Sequence, residues 1–85
     1  MVKAKIIVRY KPGILDPEGK TINNALKSLG FEGIEEVHTG KYFELSFGSG
    51  IDVNKAKEVT KNACDRLLAN PVIQSYEFEV VEEGK

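Results

Sequence analysis

At 85 residues, 41% hydrophobic and 29% charged, the chain has the composition of one small globular domain and not of a disordered segment. Its 12 Lys plus Arg against 13 Asp plus Glu leave a net charge of −1, which argues against a nucleic-acid binder held by bulk charge. One cysteine permits no internal disulfide, no apolar run approaches a bilayer span, and M-V-K-A-K-I-I-V lacks a signal peptide's apolar centre, so the expectation is a cytoplasmic protein without a membrane partner.

Taken in order, Val2, Ala4, Ile6, Val8 and Tyr10 alternate with Lys3, Lys5, Ile7, Arg9 and Lys11. Period two predicts a half-buried strand with a basic outer face, on which Ile7 is the apolar exception. The next stretch, Y-K-P-G-I-L-D-P-E-G-K, is the densest in special residues. Pro12 and Gly13 break the strand, Asp16 is an N-cap, and Pro17 suits the first helical position. Gly19 and the adjacent Lys20 are not explained by a helix start; a glycine there admits close approach of another backbone or a ligand. Ile22, Ala25, Leu26 and Leu29 then form one helical stripe. Gly30 ends it in a left-handed cap, with Phe31 placed to fold back onto Leu26.

Between Ile34 and Phe47 the second half alternates, Phe43, Leu45 and Phe47 against Tyr42, Glu44 and Ser46. The first half, I-E-E-V-H-T, is weaker. Gly40 between them reads either as a hairpin turn or as a bulge in one long bent strand. Asp52 caps a second helix whose apolar side is Ala56, Val59, Ala63, Cys64, Leu67 and Leu68. Asn70 is expected to take a left-handed cap, and Pro71 to stop the helix. A last strand puts Val72, Tyr76, Phe78 and Val80 inward, Ser75, Glu77 and Glu79 outward, with fraying from Glu82 to Lys85.

This order predicts an α+β two-layer sandwich: an antiparallel sheet of three long strands with two helices on one face, or four strands and a ferredoxin-like topology if Gly40 is a hairpin. On the open face Lys3, Lys5 and Arg9 can pair with Glu77 and Glu79. Ile7, Tyr42, Ile73 and Val81 add apolar area there, and four such residues on one small face suggest that another subunit covers it.

No catalytic set emerges. Cys64 lies on an apolar stripe, where thiols pack as inert hydrophobes, and His38 reads as a solvated strand-end residue. One histidine and one cysteine make no recognisable metal set. Glu35–Glu36 and Glu82–Glu83 are sequence neighbours, which point to opposite faces of a strand. G-S-G at 48–50 lacks the length and lysine of a phosphate loop, and G-K-Y-F-E-L-S-F keeps its phenylalanines on the core side, which counts against RNA stacking. The two strand–helix junctions, Asp16 to Lys20 and Asn70–Pro71, remain as candidates, although capping accounts for most of their residues.

G-I-L-D-P-E-G-K followed by N-A-L-K-S-L-G-F, then V-H-T-G-K-Y-F-E-L and L-L-A-N-P-V-I-Q-S-Y-E-F-E-V, resembles the small PurS-type subunit of phosphoribosylformylglycinamidine synthase over essentially the whole chain. The resemblance implies a non-catalytic part of a purine-biosynthetic amidotransferase that uses glutamine and ATP. A large synthetase subunit and a glutaminase subunit would be its partners, with ATP and magnesium used by the complex and no cofactor bound by this chain. It also implies homodimers or higher homo-oligomers, with Ile7, Tyr42 and Ile73 as a self-interface. Asp16, Pro17, Gly19, Lys20, Asn70 and Pro71 would be contacts to the larger subunits. A ferredoxin-like module that binds a small effector is the alternative.

Overall fold

Alternation builds the centre of the molecule, for which a computed structural model describes residues 1–83. Strand β1 (Val2–Tyr10) buries Val2, Ala4, Ile6 and Val8 on one face. It is the middle of a three-stranded antiparallel sheet, between β2 (Gly40–Ser46) and β3 (Gln74–Glu82). Ile6 stands opposite Phe43 on one side and Phe78 on the other, and Ala4 opposite Leu45 and Val80, so all these side chains share the core face.

Helix α2 (Val53–Ala63) begins where the Asp52 carboxylate accepts the Lys55 amide at 2.8 Å. It packs on β1 and β3 and buries Ala56, Thr60 and, just past its end, Cys64. Residues Cys64–Leu68 continue as a wider π-type turn, closed by the Ala69 amide on the Cys64 carbonyl at 3.1 Å. A wide turn advances less per residue, so the apolar stripe shifts along the chain. Leu67, expected inside, is 81% exposed, whereas Ala69 is buried in its place. Asp65 ties this turn to β3 by accepting Tyr76 Oη at 2.6 Å, and to α2 by accepting Lys61 Nζ at 3.0 Å.

Helix α1 (Pro17–Ser28) ends as expected: Gly30 has φ +93°, and the Phe31 amide reaches back to the Leu26 carbonyl at 3.1 Å. The helix lies in an unexpected place. A nine-residue strand spans about 30 Å and a twelve-residue helix about 18 Å. The molecule measures 52 × 31 × 14 Å, a long axis that the two reach only when nearly end to end. Its radius of gyration is 16.7 Å, where a compact chain of this length would have about 12 Å. Helix α1 therefore projects past the end of the sheet as an arm. Among the described residues neither α1 nor α2 packs on β2 as α2 packs on β1 and β3.

Three local expectations are corrected. Gly40 is neither hairpin nor bulge: it is the first residue of β2, opposite Arg9, and residues 34–39 return beside α1 without forming a strand. The sheet accordingly has three strands and is not ferredoxin-like. Gly40 is needed because a Cβ would sit 2.6 Å from the Val8 carbonyl oxygen. Asn70 does not adopt positive φ. It opens a tight turn instead, its carbonyl accepting the Gln74 amide at 2.7 Å and its side chain the Val72 amide at 3.0 Å. Val72 is thereby exposed, and β3 starts two residues later than the alternation suggests. Glu82 is held in β3 and does not fray; residues 84 and 85 lie outside the described residues.

Candidate functional site

Strand polarity gathers the two candidate junctions. β1 ends at Tyr10, β2 begins at Gly40 and β3 begins at Gln74, so residues 11–16, 37–39 and 70–73 meet at one end of the sheet. The Lys11 amide donates to the Ile73 carbonyl at 2.9 Å and joins the first loop to the third.

Asp16 organises this end. Its Oδ1 accepts the Gly19 amide at 2.8 Å, an N-cap bond, and its Oδ2 accepts the Thr39 amide at 2.6 Å. Thr39 Oγ1 donates to the same carboxylate at 3.0 Å. One buried carboxylate thus caps α1 and clamps the two legs of the arm together. Gly19 is the second member. A Cβ on it would run into the Val37 carbonyl, so the first turn of α1 lies directly on the backbone of the returning leg. Asn23 extends the contact by donating to the Glu35 carbonyl at 3.2 Å. Pro17 occupies the first helical position, and Lys20 donates its amide to the Asp16 carbonyl at 2.9 Å while its side chain is exposed.

Asn70 and Pro71 are also exposed, on the turn beside Lys11 and Gln74. Asn70 donates its amide to Gln74 Oε1 at 2.7 Å. Thr39, Val37 and Gln74 were missed from the sequence. Gly19 signalled that a backbone approaches, but nothing local named which one.

The Thr39 and Gly19 amides hold the Asp16 carboxyl below its ordinary value, because they bond only the ionised form well. A lowered pKa means that the clamp's contribution to stability is complete above the ordinary value of 3.8 and is lost as pH falls through the lower folded value. We expect the Thr39 amide resonance to titrate in that acid range, and Asp16→Asn to abolish the titration.

On the open face Ile7 stands directly opposite Tyr42, whereas Ile73 lies in the turn before β3. Arg9 pairs with Glu77 at 3.7 Å, while Lys3 and Lys5 pair with Glu83 and Lys3 also with Glu44, not with Glu79. Tyr42 Oη donates to Glu44 at 2.8 Å. Cys64 is fully buried and burial pushes its thiol up, away from the reactive thiolate. His38 Nε2 lies 2.9 Å from Glu36, exposed at the surface. Among the described residues no cluster of three or more His, Cys, Asp or Glu is arranged to hold a metal ion, and no helix is long and apolar enough to cross a membrane.

Against this geometry stand the comparisons with known proteins. The family model described as "PurS: Phosphoribosylformylglycinamidine (FGAM) synthase" matches residues 3–82. The chain is 45% identical over 80 residues to the phosphoribosylformylglycinamidine synthase subunit PurS of Methanocaldococcus jannaschii, covering 94% of this chain and 95% of that one. It is 38% identical over 85 residues to the PurS subunit of Bacillus subtilis, covering 96% and 95%. The fold is similar to the crystal structure of the M. jannaschii PurS, with TM-score 0.86, 42% identity and coverage of 99% and 100%. It is also similar to a chain in the structure of PurLQS from Thermotoga maritima, with TM-score 0.67, 28% identity and coverage of 95% and 99%.

Proposed function

The chain belongs to the PurS family, small subunits of phosphoribosylformylglycinamidine synthase in purine biosynthesis, and on that premise we propose that it is the non-catalytic assembly subunit of the enzyme. In this reading it joins a large synthetase subunit to a glutaminase subunit in the cytoplasm, so that ammonia released from glutamine reaches the synthetase. ATP and magnesium serve the complex, and this chain binds no cofactor of its own. The observation that carries the reading is the loop end. Two sequence-distant junctions, Asp16 to Lys20 and Asn70–Pro71, are brought to one rigid edge, where Pro17, Lys20, Asn70 and Pro71 are exposed. Loops held this firmly by a buried carboxylate and a backbone contact suit docking better than chemistry.

The test is glutamine-dependent product formation by the other two subunits, with and without this chain, and ammonia-dependent formation as the control. The chain is expected to raise glutamine-dependent turnover by at least tenfold and to leave the ammonia reaction nearly unchanged. Equal effects on both, or none, would remove the coupling role.

Self-association belongs to the same proposal. Ile7 and Tyr42 form an apolar pair on the open sheet face, with Ile73 near its end. Tyr42→Glu places a second carboxylate beside Glu44, and light scattering should show a lower oligomeric order. An unchanged mass would take that face out of the interface.

A further inference from the structure

One cavity at the loop end is filled by nothing among the described residues. It lies between the π-type turn and the tight turn at Asn70, against the start of β3, and has a volume of about 270 Å³. Cys64, Ala69, Pro71 and Tyr76 give it a mainly apolar lining. The same two turns hold Leu67 and Val72, the most exposed large apolar side chains among the described residues. Apolar surface at this corner is therefore not confined to the cavity. Charge here is one-sided. Among the described residues Asp65 is the one carboxylate in the lining, and it already accepts Tyr76 Oη and Lys61 Nζ, which hold it below the ordinary carboxyl value. Lys11 also lines the cavity and forms no ion pair among the described residues, and Arg66, exposed on the π-type turn, forms none either. Gln74 spends its Oε1 on the Asn70 amide, so its NH2 group adds a donor to the lining. A chain of net charge −1 thus presents unpaired cations beside an apolar hollow.

We infer that this cavity takes an apolar side chain of one of the larger subunits, and that a carboxylate beside it in the same segment pairs with Lys11 and Arg66. The inference rests on the assembly role proposed above and names its anchor. Continuity selects the partner, because Pro71, already assigned to that contact, forms part of the cavity wall. Size argues against a small effector. The cavity's 270 Å³ falls below the roughly 300–1,000 Å³ of sites that enclose such ligands. A small ligand would also leave Leu67 and Val72 in water, whereas a folded partner covers the cavity and its surroundings together. Protein interfaces concentrate their binding energy in a few side chains that fill pockets, ringed by contacts that exclude water. The cavity suits the first role, and Leu67 and Val72 the second. Lys11 and Arg66 supply selectivity, since a carboxylate opposite them speeds encounter and a basic segment is repelled.

The test uses the full chain reconstituted with the other two subunits. Val72→p-benzoylphenylalanine, irradiated in the complex, is expected to crosslink to a larger subunit, at a segment that carries an apolar side chain next to Asp or Glu. The same photoreactive group in place of Lys57, exposed on α2 and outside the cavity lining, sets the background. Crosslinks only to another copy of this chain, or none above that background, would overturn the inference. Charge exchange gives the second arm. Lys11→Glu combined with Arg66→Glu should weaken binding to the other subunits at least tenfold at low salt. Changing the crosslinked carboxylate residue to Lys should restore much of that loss. Both altered side chains are exposed, and an unchanged circular dichroism spectrum shows that the fold is kept. Equal binding by parent and double variant would defeat the anchor and leave the assembly role standing. A parent chain that binds neither subunit would defeat the assembly role, and the anchor with it.

Discussion

Gly19→Ala is expected to destabilise the protein by about 1–3 kcal/mol, the usual cost of forcing an extra methyl into a closed contact. Helix propensity predicts the opposite sign. Within a helix alanine is favoured over glycine by about 1 kcal/mol, chiefly through backbone entropy in the unfolded chain. The contact outweighs propensity here because the methyl meets backbone. The Val37 carbonyl oxygen belongs to a leg whose next residues but one, Thr39 and Gly40, are fixed by Asp16 and by the ladder with β1. A flexible side chain could swing aside; this carbonyl moves only if the arm opens. Urea unfolding at one fixed protein concentration should therefore show a lower midpoint with little change in slope. A variant as stable as the parent, or more so, would show that the first turn of α1 has slack and that the arm is not held as described. The functional corollary is a parallel loss of glutamine-dependent turnover, since Pro17 and Lys20 ride on the same turn.

Why Gly19 was conspicuous in the sequence and Val37 was not is the general pattern in this molecule. Signals that depend on a residue and its near neighbours were legible: the alternation of β1, the Asp16 and Asp52 caps, Gly30 with Phe31, and the facing of Phe43 and Leu45 toward the core. Composition and order were enough for the α+β class and the antiparallel sheet. What was not legible depends on where distant segments lie. The hydrophobic stripe of α1 marks an apolar face but not what lies against it, so the pattern is the same whether or not the helix packs on its own sheet. Residues 34–39 looked like half a strand because apolar residues recur in them, although their backbone is occupied with α1 and Asp16. The π-turn at Cys64–Leu68 shifts the phase of a stripe that is otherwise regular, so Leu67, expected inside, is exposed and Ala69 is buried. The candidate site divided in the same way. Asp16, Gly19, Asn70 and Pro71 declared themselves as junction residues, but strand order alone brought the two junctions to one end.

Ile6→Ala is expected to have the largest effect of any single change, about 2–5 kcal/mol for each chain. Ile6 is fully buried on the central strand between Phe43 and Phe78, and the surrounding layer is thin. Stability for a chain of this size is of the order of 4–13 kcal/mol, so the cavity consumes a large part of it. Association cannot restore the loss. In a dimer both chains carry the cavity, about 4–10 kcal/mol together, whereas each tenfold rise in protein concentration returns about 1.4 kcal/mol. Recovery would take roughly three to seven decades of concentration, beyond what any solution reaches. Under the self-association proposed above, the parent's thermal midpoint should rise with protein concentration. Ile6→Ala should remain far below it throughout. If Ile6→Ala instead converged on the parent at high concentration, the core would be completed by the partner and not by the chain itself.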